Sequence, residues 1–329
     1  MILVKYLRKE DLKPFFYFAL EEYILNNLLK KHESFFFLWK IKGIVIGKNQ
    51  IIENEVNLDF VKKNKIDIFR RPTGGGCVYN DPKTPLFSII TKKEKDFSFK
   101  KYLCKIIDVF KKIGVNLDFN GRNDIVLGDK KVSGSSFIQN ENGIIIHGTL
   151  LYDCDIDTMI RCITVDDEKL ISKGIKSISS RVTNLKDHLK DNINQDQLMS
   201  FLENNLTNKV YILSTEEIKK VEKMSEKFSS PKWIYHEYPS YSKVLKKRFE
   251  WGSLNVLLSL KKGKIEKMSL TGDFFNKHEN LSFFLEKFEN IIYNRENIKK
   301  ISENIDISEY ILNASNKDFF DLLEENAFY

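Results

Sequence analysis

Apolar positions recur along this 329-residue chain with two alternating periods. Between Phe15 and Lys30, residues Phe16, Ala19, Leu20, Tyr23, Ile24 and Leu28 share one side of a helix, while Glu21, Glu22, Asn26 and Asn27 fall off it. Two short β-rich runs follow, Phe35–Lys40 and Ile44–Gly47, and the Lys42-Gly43 turn between them predicts a hairpin-like pair. Val56–Asn64 reads as a helix, and Asp67–Arg70 as a strand entering a glycine-rich turn. Val78–Tyr79 and Leu86–Thr91 are further strands, and Phe99–Ile113 is an amphipathic helix closed by Gly114. Ile125–Leu127 and Lys131–Ser133 flank a Gly128-Asp129 turn, a second hairpin signal, and Gly143–Leu151 is a strongly apolar strand. Helices alternating with hairpins predict an α+β fold with a mixed sheet, not regular βαβ winding.

The texture changes after Arg181. Asn192–Asn205 and Glu216–Phe228 read as helices with polar faces, and Ser229-Ser230-Pro231 then breaks the chain. Leu254–Leu260 and Ile265–Leu270 alternate around Lys261-Lys262-Gly263-Lys264 as a β-hairpin, and Leu281–Tyr293 reads as a helix. The expected division is a domain over 1–240 and a small α+β domain over 241–329.

With 42% hydrophobic and 12% aromatic residues, the chain can bury a substantial core, which excludes wholesale disorder. The net charge of +7 suits an acidic or polyphosphate partner but falls short of a dedicated nucleic-acid binder. Arginine is scarce among the 53 basic residues, at positions 8, 70, 71, 122, 161, 181, 248 and 295. Where Lys is the default cation, an Arg points to a need for its planar fork of donors. The four cysteines have no metal-ligand or disulfide spacing, and the N-terminus lacks a secretory apolar region. No uncharged apolar stretch reaches membrane-spanning length. A reduced, cytoplasmic monomer is the expectation.

Four segments carry candidate chemistry. Arg70-Arg71-Pro72-Thr73-Gly74-Gly75-Gly76-Cys77-Val78-Tyr79 combines arginine forks with glycines that let backbone N–H groups approach an anion. It matches neither GxxxxGK[ST] nor GxGxxG, and a glycine-rich hairpin with solvated arginines is the competing reading. Gly121-Arg122-Asn123-Asp124 precedes Lys130-Lys131-Val132-Ser133-Gly134-Ser135-Ser136 at hairpin distance. Asp124 could hold Mg²⁺ or fix a cation, and a regular strand would put Lys131, Ser133 and Ser135 on one face. His147 ends an apolar run, where a hydrogen-bonded core residue is commoner than a base. Ser179-Ser180-Arg181-Val182-Thr183-Asn184-Leu185 places another rare Arg among small polar residues.

Together, RRPTGGGCVYND (70–81), GRNDIVLGDKKVSGSSF (121–137), HGTLLYDCD (147–155), GIKSISSRVTNL (174–185) and the upstream FLWKIKGIVIGKNQ (37–50) resemble the lipoate–protein ligase family. RFEWGSLNVLLSLKKGKIEKMSLTGDFF (248–275) is similar to the accessory C-terminal domain of its longer members. The resemblance implies the biotin/lipoyl-ligase fold, related to class II aminoacyl-tRNA synthetases. It implies a two-step reaction: lipoate and ATP give lipoyl-adenylate and pyrophosphate, and the lipoyl group then passes to a lysine of an acceptor. The acceptor would be the lipoyl domain of a 2-oxo acid dehydrogenase E2 or the glycine-cleavage H protein, with Mg²⁺ as ATP's companion and no permanently bound cofactor. The nucleotide site implied is Arg71, Gly74, Gly75, Gly76, Cys77, Val78, Tyr79, Asn80, Asp124 and Lys131. Lipoate would meet Trp39, Lys131, Ser135 and His147, its tail in a dry slot near Trp39, Val45 and Gly134–Phe137. Lys131 carries the central catalytic role.

The chain departs from the family pattern in having Cys77 for the frequent Ala, Asn80 for His, and Ile146 before His147 where a second His is usual. The rival within the fold is an ATP-independent acyltransferase with Cys154 or Cys162 as nucleophile. A nucleic-acid-binding protein is remote, because the lysines are interspersed with Asp and Glu.

Overall fold

The computed structural model of the chain describes residues 1–6, 12–29, 34–95, 97–163, 181–189, 193–235 and 241–327. The N-terminal part is built on an eight-stranded mixed sheet. Its strands are β1 (Ile2–Tyr6), β2 (Phe35–Trp39), β6 (Leu86–Thr91), β7 (Asp118–Asn120), β8 (Asp124–Leu127), β9 (Lys130–Gln139), β10 (Ile144–Thr149) and β11 (Lys209–Leu213). They lie in the order β11-β1-β2-β6-β10-β9-β8-β7. β1 runs parallel to both its neighbours, and every pairing from β2 outwards to β7 is antiparallel. A small sheet holds β3 (Gly43–Ile46) between β4 (Ile68–Arg70), parallel to it, and β5 (Val78–Asn80), antiparallel.

Helices cover both faces of the large sheet, which explains strands that are buried throughout, such as Phe35–Trp39. Phe36, Leu38, Phe87, Ile89, Phe137, Ile144 and Ile146 face one core, and Phe35, Phe37, Trp39, Ile90 and Ile145 face the other. The second core is closed by helix α1 (Pro14–Tyr23), which continues as a π-helical turn over Ile24–Leu28. Helices α2 (Ile52–Glu55) and α3 (Leu58–Lys63), the latter capped by Asn57, connect β3 to β4. Helix α4 (Phe99–Lys111) packs on the first core, burying Phe99, Tyr102, Leu103, Ile106, Ile107 and Phe110 at helical spacing. Each such side chain contributes up to about 1.5–3 kcal/mol. Helix α5 (Ile156–Ile163) packs on β5, α6 (Gln195–Leu206) joins α4, α7 (Thr215–Ser229) packs on α1, and the short α8 (Pro231–Tyr235) lies against β4.

Further along, the meander β12 (Lys243–Phe249), β13 (Gly252–Lys261) and β14 (Lys264–Gly272) carries helical segments at Ser282–Leu285, Arg295–Ser302 and Asn316–Glu325. These enclose their own core, which includes Leu254, Val256, Phe274, Phe284, Tyr293, Ile298 and Phe319. Phe275, the neighbour of Phe274, instead enters the first core beside Phe99 and Phe137.

Two local expectations are corrected. The runs at 35–40 and 44–47 do not pair as a hairpin: β2 pairs with β1 and β6, while β3 is the centre of the small sheet. Strands Phe35–Trp39 and Gly43–Ile46 are buried throughout, each with partners on both edges supplied by more distant strands. The Leu281–Tyr293 helix shortens to Ser282–Leu285 and a 3₁₀ turn, Glu286–Phe288, after which Asn290 turns with φ +63°. The expected 240/241 boundary adjoins residues 236–240, which lie outside the described set.

Arg70 ties the stretch after β3 and helix α8 to β4. Its buried guanidinium donates from Nε to the carbonyl of Ile234 in α8 (2.8 Å), and from Nη1 to the carbonyls of Gly47, Lys48 and Gln50 (3.0, 3.0 and 2.7 Å). A lysine ammonium cannot span the same acceptors from one position. Arg70→Lys is expected to cost about 2–3 kcal/mol, seen as a lowered urea midpoint at unchanged m-value; an unshifted midpoint would refute the clamp.

Candidate active site

Between β4 and β5 the chain makes the loop Arg71–Cys77, and three glycines leave it no side chains with which to hold its own shape. Arg71 does so. Its Nε donates to Thr73 Oγ1 (3.0 Å) and Gly74 O (3.2 Å), Nη1 to Val45 O (3.1 Å), and Nη2 to Gly74 O and Gly76 O (both 2.7 Å). Burial lowers its pKa to about 10, leaving the group cationic at neutral pH.

The glycines have different neighbours. A Cβ on Gly74 would stand 2.3 Å from the carbonyl oxygen of Phe274, and one on Gly75 (φ +84°) 2.8 Å from the Phe275 ring. These two accommodate the segment after β14, and the Gly75 N–H donates to Phe274 O (3.2 Å). Around Gly76 there is open space. The same segment receives Arg122, which donates to Asp273 O and lies 4.4 Å over the Phe275 ring.

Beside the loop lies a cavity of about 110 Å³. One part of its wall is apolar: Phe18, Trp39, Val45, Val78 and Leu86. Lys131, Asn123, Ser135, Ser136, Arg71 and His147 line the rest, together with Gly75, Gly76, Cys77, Gly134 and Gly148. The cavity therefore joins an apolar slot to a cationic, polar region. Trp39 is fixed by stacking on Tyr17 at 4.7 Å and by donating from Nε1 to Ser88 Oγ (2.9 Å).

Lys131 reaches the cavity because β9 is irregular. The register slips between Ile125 and Val126, so Ser133 faces Ile125 while Lys131 faces Val126, and Val132 is the extra residue. The ammonium lies over Gly134, where a Cβ would stand 2.8 Å from Nζ, and 2.9 Å from Asp124 Oδ1. Lys130 is exposed. The bulge also corrects the expectation of a common face for Lys131, Ser133 and Ser135: Ser133 is buried outside the cavity lining. Ser135 lines the cavity, but its Oγ is 2.7 Å from where a Gly148 Cβ would stand, beside Phe87. On the outer edge of β9, Lys131 N donates to Arg181 O (2.7 Å) and Thr183 N to Lys131 O (3.0 Å). Residues 174–180 of that motif lie outside the described set.

Of the other expected residues, Tyr79 packs in the core with Ile44 and Ile46, and Asn80 is fully buried; neither lines the cavity. Gly74 turns its carbonyl to Ser136 Oγ (2.8 Å) and Phe137 lies in the first core. Among the described residues no group of three or more His, Cys, Asp or Glu could hold a metal ion, and no helix is long and apolar enough to cross a membrane.

Three residues that matter here were not anticipated. Glu21, fully buried in α1, accepts from His147 Nδ1 (3.0 Å) and from Ser88 Oγ, and His147 Nε2 meets Thr73 Oγ1 at 2.9 Å. The usable signal for Glu21 was its setting: a carboxylate between Leu20 and Tyr23 in a helix with little polar arc. Thr73 stood in the glycine-loop motif without a role of its own, and Ser88 gave no signal.

Comparison with known proteins identifies the family. Residues 13–207 match the model of the lipoyl protein ligase A/B catalytic domain, and 238–323 that of the bacterial lipoate protein ligase C-terminus. Lipoate-protein ligase LplJ of Bacillus subtilis is 34% identical over 319 residues, covering 93% of this chain and 95% of the relative. Among solved structures, P. falciparum LipL1 in complex with lipoate aligns with a TM-score of 0.78 at 23% identity, covering 99% of this chain and 98% of that one. A lipoate-protein ligase A bound with ATP aligns at 0.60 and 20% identity, covering 71% and 98%. The α+β architecture with its mixed sheet is theirs, and by sequence the chain belongs to the lipoate–protein ligase family of enzymes.

Proposed function

We propose that the chain activates lipoate with ATP to lipoyl-adenylate and transfers the lipoyl group to a lysine of an acceptor lipoyl domain. The observation that carries this reading is the Lys131 ammonium at the polar side of a cavity whose other wall is Trp39, Val45 and Phe18. An apolar acid fits with its tail against the indole and its carboxylate towards Nζ. The relatives' names and the lipoate- and ATP-bound neighbours support the same substrates.

In the first step a lipoate carboxylate oxygen attacks the α-phosphorus of ATP, a P–O bond forms, and the bond to pyrophosphate breaks. Two anions must meet, so the barrier is largely electrostatic, and a fixed ammonium in reach of both lowers it. Asp124 holds Nζ at 2.9 Å over Gly134, which keeps the charge at the cavity. Mg²⁺ bound with the triphosphate would add charge neutralisation. A single carboxylate suits an ion carried mainly by phosphates, and Asp124 is the one this site offers. Gly76 and Cys77, lining the open part of the loop, are assigned to the nucleotide. Arg71 serves it through the loop, since its donors are spent on carbonyls.

In the second step the neutral amine of the acceptor lysine attacks the mixed anhydride carbonyl. AMP leaves with the bonding electrons, the nitrogen gives up its proton, and an amide remains. Residues 1–240 would conduct the chemistry and 241–329 close over the glycine loop from outside. The acceptor is a 2-oxo acid dehydrogenase E2 lipoyl domain or a glycine-cleavage H protein.

The cysteine-dependent alternative is disfavoured by its own candidates. Cys154 and Cys162 are buried, and desolvation pushes their thiols up to about 11 and about 12, opposite to the activation a thiolate nucleophile needs.

Two outcomes test the assignment. Lys131→Ala should lower lipoate-dependent pyrophosphate release about 10²–10³-fold, with Lys130→Ala staying near wild type; equal loss in both would place the active ammonium elsewhere. Cys154→Ala and Cys162→Ala should keep ATP-dependent lipoylation of an acceptor domain, followed by intact-mass spectrometry. ATP-independent transfer from an acylated carrier, abolished by either change, would sink the ligase reading.

A further inference from the structure

One buried hydrogen-bond chain runs the length of the cavity and has donor-only groups at both ends. At one end is the Trp39 indole N–H, at the other the Arg71 Nε–H, and neither can accept. Trp39 Nε1 donates to Ser88 Oγ (2.9 Å), so the Ser88 hydroxyl hydrogen is free to donate onwards to Glu21 Oε1. Arg71 Nε donates to Thr73 Oγ1 (3.0 Å), so the Thr73 hydrogen is free to donate to His147 Nε2 (2.9 Å). An Nε2 that accepts leaves the imidazole hydrogen on Nδ1, which donates to Glu21 at 3.0 and 3.1 Å. The carboxylate fixes Nδ1 as a donor, a neutral ring then takes the Thr73 hydrogen at Nε2, and both arms terminate on Glu21. Glu21, Ser88, Thr73 and His147 are all buried, so water does not substitute for a missing member.

We propose that Glu21 is the positioning residue of this site, setting the Trp39 wall through Ser88 and the glycine loop through His147, Thr73 and Arg71. The inference rests on the substrate reading above for what the two ends bind, but its geometry does not. Glu21 is not itself part of the cavity lining; it acts by requiring the Nδ1–H tautomer of His147, which is. That tautomer makes Thr73 a donor towards the ring, which leaves its oxygen to receive Arg71. Arg71 then holds the carbonyls of Gly74 and Gly76 at 2.7 Å, fixing where the loop's N–H groups point. One acceptor thus sets both the slot for an apolar acid and the loop for a nucleotide. Replacing Glu21 with Leu removes the acceptor of both His147 Nδ1–H and the Ser88 hydroxyl, and so releases the ring from the tautomer it required.

The test combines a spectrum with kinetics on the full chain. With ¹⁵N-labelled histidine rings, and His147→Gln to assign the signal, wild-type His147 should show a protonated Nδ1 and an unprotonated Nε2. A protonated Nε2 in the wild type overturns the proposal without any variant of Glu21. Glu21→Leu should abolish the preference for the Nδ1–H form and raise the KM for both lipoate and ATP about tenfold, kcat changing less, while Glu21→Gln, whose carbonyl oxygen still accepts, should disturb both less. Thr73→Val should raise the KM for ATP alone, while Thr73→Ser, which keeps the hydroxyl, should restore it. The double variant should match Thr73→Val for ATP, because both changes cut the same arm. Multiplying effects, or an unaltered His147 spectrum in Glu21→Leu, would refute the relay. If the wild-type chain turned over neither lipoate nor ATP, the substrate reading would fall while the spectrum still judged the relay.

Discussion

The constraint on which the site depends is that a loop of consecutive glycines cannot hold itself. Gly74, Gly75 and Gly76 have no side chains with which to pack, and their backbone freedom favours disorder. A buried guanidinium supplies what they lack. Arg71 crosslinks the loop to β3 through Val45 O and to itself through Gly74 O and Gly76 O. Burying that charge is tolerable because its donors meet carbonyl and hydroxyl oxygens throughout. With the arginines committed to scaffolding, the cavity's available cation is a half-exposed lysine, held by a carboxylate rather than by burial.

This division changes how the scarce arginines are understood. Their concentration in the glycine- and serine-rich segments was a sound guide to the site, yet Arg70, Arg71 and Arg122 all spend donors on protein carbonyls. A planar fork suits an array of backbone acceptors as well as it suits a phosphate, and composition alone cannot separate the two uses.

What could be read in advance was local. The β8–β9 turn at Gly128, the α4 helix and the β13–β14 hairpin carry their own signals within a dozen residues. β1 and β11 pair across some two hundred positions and are too short to announce themselves. The bulge at Val132 was invisible because a bulge is set by the partner strand; Lys131, and not Lys130, lines the cavity across it. Glu21 was assigned to the polar side of its helix, and it is the buried one. A helix wedged between a sheet and another helix has little outside, so a polar position signifies a buried partner as readily as solvent.

Phe274 and Phe275 are consecutive residues with their rings in two different cores, and the backbone between them rests on Gly74 and Gly75. To come away as a unit, the C-terminal part must draw an aromatic ring out of the N-terminal core, which couples the stability of the two parts. Any motion that lifts the segment must also vacate a place between Phe99 and Phe137.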